Sequence, residues 1–416
     1  MTSDAESSGA DVSGERGDAA ENSGSVTTPS RSEGTAGNKE KRGKKAVREA
    51  KRVLARPAAT LSLGERLSSL AEQAAAVYDL SSPIDTYGDG VVADLERRVA
   101  QLLGKEDAAF FPTGTMAQQV VLRCWAERTG NNRVVLHPLS HPEVFEANAF
   151  ERVSGLYPVR ATGAPRQPTA EEIRGLPESF GALMLELPLR DAGYLLPTWD
   201  ELVGVTEAAR ERGAVVHFDG ARLWECTTHF GRPLEEIAAL ADTVYVSFYK
   251  SLDGISGAAV AGPRSLIEET RIWRHRYGGR VVQQFPAALS ALVGLERELP
   301  RLPEYVAHAR LVAAAMAEGF RDTRLGWFKV RPEVPHTHQF QVWLPFAAET
   351  LEAAVIRQAE ESGIALFQSP WWEPGVPPGI ALTEVTVSAA GLEWTPADVR
   401  AAVCDFVRHV ETSPVT

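Results

Sequence analysis

The sequence predicts an α/β protein: a large domain on a mostly parallel sheet, followed by a smaller α+β C-terminal domain. Two patterns carry that expectation. Between residue 59 and about residue 300, short apolar, β-branched runs alternate with stretches of helical periodicity. Buried strands separated by helices are the pattern of a parallel sheet covered on both faces. Beyond about residue 300, a long helical stretch leads into strands that alternate apolar and polar residues, as in a half-exposed sheet. With 416 residues, 44% hydrophobic and 24% charged, the chain is long enough for one large core or two medium ones.

Residues 1–58 are rich in Ser, Gly, Ala, Asp and Glu and poor in large apolar side chains. They cannot bury enough surface to offset the entropy of ordering, so they are predicted to be a disordered tail. Within it, KEKRGKKAVREAKRVLAR (39–56) carries nine basic and two acidic residues. This block reads as solubilising charge, with contact to nucleic acid as the alternative. In the large domain, 59–300, apolar spacing of three and four over 91–103 and 115–127 predicts helices. Apolar runs at 133–136, 182–186, 214–218, 243–248 and 257–261 predict buried strands, separated by helices such as 199–212 and 234–240. In the smaller domain, 301–416, a helix over 303–318 precedes strands at 327–331 and 339–344. A helix at 348–362, strands near 364–368 and 382–387, and a last helix over 395–410 complete it.

Several classes are excluded by composition. No apolar run approaches the roughly 18 residues of a spanning helix. The opening segment, MTSDAESSGADVSGERGDAAENSGS, lacks the apolar core of a secretory signal. Cys124, Cys226 and Cys404 are widely spaced and odd in number, which argues against a disulfide framework or CxxC metal site and points to the cytoplasm. The net charge is −12, and −14 without the tail, so nucleic acid is not expected as the main ligand.

Lysine is scarce: there are 35 Arg and only 8 Lys, five of them in the tail. The remaining three are Lys105, Lys250 and Lys329. Lys105 follows a glycine just after a helix and reads as a surface C-terminal cap. Lys329 lies on the polar phase of GWFKVRP. Lys250 ends the strand of TVYVSFYKSLDGISGAAVAG (243–262), where an ammonium loses hydration and its pKa falls, making the amine a nucleophile for carbonyl carbon. Two further segments belong with it. FFPTGTMAQQ (110–119) places Gly114 and Thr115 at a helix N-terminus, which favours a phosphate, although on this segment alone a threonine cap without ligand is the better reading. AVVHFDGARLW (214–224) holds Asp219 at the C-terminal end of a buried strand, where ligands of open α/β sheets bind. Asp219 could pair with a cationic ring nitrogen or bind a metal, but no metal-spaced cluster accompanies it. A phosphate turn, a strand-end carboxylate and a lysine 31 residues later are what pyridoxal phosphate requires. Lys250 would form the aldimine and Asp219 would keep the ring nitrogen protonated. Ser247 is a candidate for an added phosphate hydroxyl.

These segments resemble the threonine aldolase / β-eliminating lyase family of fold-type-I pyridoxal-phosphate enzymes. The resemblance spans about 84–300 and rests on DTYGDGVVADLERRVAQLLGKEDAAFFPTGTMAQ (85–118), HPEVFEANAF (141–150), HFDGARLW (217–224) and VSFYKSLDGISGAAVAG (246–262). It implies an α/β large domain, a small C-terminal domain and a homodimer or homotetramer with shared sites. It further implies Lys250 as the aldimine lysine and Asp219 as the pyridinium partner. Arg222 would bind the substrate carboxylate, His141 would stack on the ring and act as base, Gly114 and Thr115 would form the phosphate turn, and Tyr87 would border the site. The chain also departs from the family. The LRSDT-like segment is replaced by AATLSLGER (58–66), ENTH by ELPLRD (186–191), and the GGGMRQ segment by YGGRVVQQ (277–284), where Arg280 is displaced. The second carboxylate arginine aligns with neutral residues near IALTEV (380–385). The cofactor half is kept and the substrate half is changed. The expected activity is cleavage of a threonine-like β-hydroxy-α-amino acid to glycine and an aldehyde. β-Elimination, racemisation and transamination on the same scaffold remain open. A reading of another class is a non-enzymatic pyridoxal sensor whose basic tail binds nucleic acid.

Overall fold

The computed structural model describes residues 42–43, 45–55, 61–375 and 377–412. Its strands are β1 (Arg52–Val53), β2 (Asp107–Phe111), β3 (Arg133–Val135), β4 (Tyr157–Val159), β5 (Ala182–Glu186), β6 (Val215–Gly220), β7 (Thr243–Ser247), β8 (Ala258–Gly262), β9 (Lys329–Arg331), β10 (Gln339–Leu344), β11 (Ile364–Ala365) and β12 (Ala381–Thr386). The large sheet has seven strands in the order β2-β8-β7-β6-β5-β3-β4. Pairing is parallel from β7 through β4, and β8 runs antiparallel to both neighbours. The reversal follows from chain length. Ten residues, 248–257, join β7 to β8, fewer than a parallel crossover needs.

Neighbouring residues of these strands enter opposite cores, so the strands read as unbroken apolar runs. Phe110 and Val244 pack with Leu95, Val99 and Phe218 on one face. Phe111 and Tyr245 pack with Val120, Met184 and Val260 on the other. The register aligns Glu186 with Asp219 and Asp219 with Tyr245. The C-terminal ends of β5, β6 and β7 therefore bring Glu186, Asp219 and the approach to Lys250 to one sheet edge.

The second sheet, β12-β10-β9, is antiparallel. Its Phe340, Val342 and Leu344 pack under the helices Leu302–Arg321 and Pro396–Glu411. The first of these helices serves both cores: Leu302 and Tyr305 belong to the large one, and Ala309, Val312 and Met316 to the small one. The domain change expected at residue 301 thus occurs within a shared helix.

The expected tail needs correction where it is described. Residues 45–49 are helical and β1 pairs in parallel with β11. Ala46, Ala50 and Val53 bury against Ala359 and Ala365, and Trp394 Nε1 donates to the Val53 carbonyl at 3.0 Å. The basic block contains enough small apolar residues to offset ordering. Two of its arginines meet carboxylates, Arg52 with Asp398 at 3.0 Å and Arg42 with Glu360 at 2.5 Å. Residues 1–41, 44 and 56–58, where the rest of the tail expectation falls, lie outside the described residues. Lys105 is also corrected. It is half-buried, and its Nζ donates to the Ala241 carbonyl at 2.6 Å, tying one helix end to the β7 approach. Lys329 is exposed, as its strand phase suggested. Among the described residues, no helix is long and apolar enough to cross a membrane.

Candidate active site

Asp219 is 2% exposed at the end of β6, and its Oδ1 accepts a hydrogen bond from Ala221 N at 3.1 Å. A carboxylate has room for several donors, so one backbone bond leaves acceptor capacity in a buried position. Burial pushes the Asp219 carboxyl up, and the Lys250 and His141 charges pull it back down. A cationic ring nitrogen against it would have the same stabilising sign. Lys250 follows β7 by three residues. Burial, aided by Arg222, lowers its amine to about 8, with Asp219 and Glu186 opposing. The amine is thus part neutral near physiological pH, as a nucleophile for carbonyl carbon must be.

Across from these groups, Gly114 opens the helix Gly114–Thr129, capped by Thr113 Oγ1, which accepts from Met116 N at 3.3 Å. First-turn N–H groups have no intrahelical partner, which makes this end suitable for a phosphate. Only glycine fits at the opening position. A Cβ there would collide with the Tyr245 hydroxyl and lie 2.9 Å from Tyr245 Cζ.

His141 is held from two sides. Its backbone N–H donates to Glu186 Oε2 at 2.7 Å, and its Nδ1 lies 3.1 Å from Glu146 Oε1. The same Glu146 oxygen accepts from Thr115 Oγ1 at 3.1 Å. An ionised carboxylate only accepts, so it holds the Nδ1–H tautomer and leaves Nε2 as the basic nitrogen. Burial, then the Asp219 charge, raises the Glu186 carboxyl to about 7. The Thr115 hydroxyl, expected at a phosphate, is therefore engaged with Glu146, and its backbone N–H is what remains for an anion. Ser247 is corrected more fully. It is wholly buried, and its one proton goes to the Ala221 carbonyl at 2.8 Å.

Arg222 lies over the Tyr194 ring at 5.3 Å, and its Nε is buried without a hydrogen-bond partner. Tyr194 is itself fully buried. The segment expected to be neutral near 380–385 is corrected: it contributes Glu384, whose Oε1 lies 2.7 Å from Arg190 Nε. Arg190 and Asp191 come from ELPLRD, and Arg190 Nη1 donates to Asp191 Oδ1 at 3.3 Å. Tyr87 is not brought to this cluster within one chain. It is half exposed, and the Arg280 guanidinium covers its ring at 4.8 Å.

Glu146, Glu186, Arg190, Tyr194 and Glu384 were thus missed as site residues. Glu146 had a usable signal, since it lies five residues after His141 on a short helix and turn. Arg190, Tyr194 and Glu384 meet through loop and interdomain geometry that no local spacing encodes.

The family description Beta-eliminating lyase matches residues 71–334. The chain belongs to this family, the threonine aldolase / β-eliminating lyase group of pyridoxal-phosphate enzymes. The low-specificity L-threonine aldolase 1 of Arabidopsis thaliana is 25% identical over 67% of this chain and 79% of its own length. The low specificity L-threonine aldolase of Escherichia coli O157:H7 is 29% identical over 58% and 75%. A solved Listeria monocytogenes EGD-E protein, assigned as an L-allo-threonine aldolase, superposes with TM-score 0.79 at 33% identity, covering 89% of this chain and 99% of that one. The family cofactor is pyridoxal 5'-phosphate, and this β-eliminating lyase fold presents groups that fit it. They are a buried carboxylate with spare acceptor capacity, an amine shifted towards neutrality, and an open helix N-terminus.

Proposed function

We propose that the chain is a carbon–carbon lyase of the threonine aldolase type, cleaving a β-hydroxy-α-amino acid to glycine and an aldehyde. The observation that carries this reading is the Glu146–His141 pair, a base separate from Lys250. Aldol cleavage needs a group to take the β-hydroxyl proton, whereas β-elimination can run with the lysine alone as base for the α-proton.

Pyridoxal phosphate, when bound, supplies the electrophilic carbon and the electron sink. In this reading Lys250 would hold it covalently and Asp219 would keep a proton on its ring nitrogen. The N–H groups of Gly114 and Thr115 would hold its phosphate. Arg222 binds the substrate carboxylate with the guanidinium that Tyr194 supports. Glu146 orients His141, and His141 Nε2 accepts the β-hydroxyl proton.

The decisive experiment supplies threonine and allo-threonine in both configurations. Equimolar glycine and acetaldehyde support cleavage. Release of 2-oxobutanoate and ammonia would assign β-elimination instead, and inverted amino acid alone would assign racemisation.

A second copy of the chain is part of the proposal. Leu63 is 77% and Ile84 65% exposed, with Leu67, Leu80 and Tyr87 also open to solvent. Gln283 N donates to the Thr86 carbonyl at 2.9 Å, joining the Tyr87 segment to exposed Val281 and Val282. An apolar face of this kind is suited to burial in a homo-oligomer, which would carry Tyr87 to a neighbouring site. The three unpaired cysteines support a reducing, cytoplasmic location.

A further inference from the structure

Arg190 meets two carboxylates without being saturated by them. Its Nε lies 2.7 Å from Glu384 Oε1, and its Nη2 donates to Glu384 Oε2 at 3.0 Å. A guanidinium carries five N–H donors in a planar fork. Glu384 Oε2 therefore takes one N–H of Nη2 and Asp191 Oδ1 takes one of Nη1 at 3.3 Å, which leaves one N–H on each of these nitrogens, while Nε faces Glu384 Oε1 without an aligned hydrogen bond. Two N–H groups so placed can grip a carboxylate with two parallel bonds. The side chain as a whole is 23% exposed.

Its location is set by three contacts. Arg190 lies 5.2 Å over the Phe145 ring, and Phe145 packs 5.2 Å from the His141 ring. Arg190 N donates to Glu186 Oε1 at 3.3 Å. On its other side stands Tyr194, whose hydroxyl is buried beside Glu384 without a well-aligned hydrogen bond. The Tyr194 ring supports Arg222. Both guanidinium groups act electrostatically on the Lys250 amine.

We infer that Arg190 is the second carboxylate-binding arginine of the site, gripping the substrate α-carboxylate with Arg222, and that Glu384 is the residue that positions it. This rests on the pyridoxal-phosphate lyase reading above. The pair reverses the expected polarity, since the small domain supplies the carboxylate and the large domain the guanidinium. Glu384 also carries a consequence for specificity. Movement of β12, which bears Glu384, is passed to the carboxylate grip through one ion pair.

The test compares glycine with methylamine, which is glycine without its carboxylate. Each is titrated into the cofactor-loaded enzyme and followed by the cofactor's visible absorbance. Arg190→Gln should weaken apparent glycine affinity by about ten- to a hundredfold and change methylamine affinity by less than about threefold. Arg190→Lys keeps the charge without the fork and should fall between wild type and Arg190→Gln. Glu384→Gln should weaken glycine less than Arg190→Gln does, because the guanidinium remains. Unchanged glycine affinity in Arg190→Gln, or equal weakening of both probes, would reduce the pair to an interdomain latch and overturn the inference. Cofactor content and melting temperature of each variant separate loss of fold from loss of grip. A wild-type protein with no cofactor absorbance, and no cofactor fixed to Lys250 by borohydride, would sink the underlying reading as well.

Discussion

The two halves of the site are assembled from different parts of the fold. Asp219 lies in the register of the large sheet, Lys250 follows β7 by three residues, and Gly114 opens the helix that follows β2. Arg222, Tyr194, Arg190 and Glu384 come from a turn, a loop and the small domain's sheet; a main-chain bond joins Tyr194 to Arg190, and side-chain contacts bring in Arg222 and Glu384. The first arrangement is set by main-chain elements: a paired strand, the residues directly after one, and a helix start. The second is adjustable, because a single substitution in a loop or in β12 changes what faces the substrate. A divergent member of a family can therefore keep its cofactor chemistry while its substrate contacts are rewritten.

The largest expected effect is on the first half. Lys250→Ala should leave no cofactor covalently fixed after borohydride reduction, read by mass spectrometry, and should reduce turnover to background. In the wild-type chain the rate of attachment should climb with pH and level off above about 8, where the Lys250 amine becomes neutral. The sign follows from burial and Arg222, both of which favour loss of the proton. At pH 6 only about 1% of the amine is neutral by that value. A rate independent of pH from 6 to 9 would remove the lysine from this role.

Next comes the base. His141→Ala should lower kcat for aldol cleavage by about a hundred- to ten-thousandfold while the cofactor is retained. Glu146→Gln should cost less, because the amide can still accept from Nδ1 through its oxygen but no longer fixes the tautomer by charge. Equal losses in cofactor content and kcat would mean that His141 serves binding alone.

The same contrast explains what was legible. Alternating apolar runs predicted β5, β6, β7 and β8 closely, since strands buried on both faces leave no polar phase to blur them. The reversal of β8 was not read, although the ten-residue connection contained the reason. Asp219 and Lys250 stood out because charged residues at buried strand ends are costly without a partner. Arg190 and Glu384 are 194 positions apart, and no periodicity links a loop to a strand of another sheet. The ordered stretch at 45–55 was missed because its apolar face is made mostly of alanines, which composition does not distinguish from a flexible tail.

Gly114→Ala tests whether the helix start is as tightly set as the strand ends. The added methyl meets the Tyr245 hydroxyl and ring, and overpacking of this kind costs about 1–3 kcal/mol. Cofactor affinity should fall with it. Tyr245→Phe on that background should restore part of both, as it removes the colliding oxygen and leaves Cζ at 2.9 Å. No recovery would place the damage in the backbone of the turn.

The smallest effect is expected at Ser247, and it separates a residue near the site from one in it. Its hydroxyl donates to the Ala221 carbonyl and is fully buried, so Ser247→Ala leaves that oxygen one donor short. A buried hydrogen bond of this type contributes about 1 kcal/mol. The variant should melt slightly earlier while binding the cofactor within about twofold of wild type, a difference of less than RT. A tenfold loss of cofactor affinity without a change in melting would return Ser247 to the phosphate. Ala221 lies between Asp219 and Arg222, so the Ser247 bond fixes the turn that carries one residue from each half of the site. Its loss should therefore loosen both halves equally, and that symmetry is what distinguishes a support of the turn from a ligand of either half.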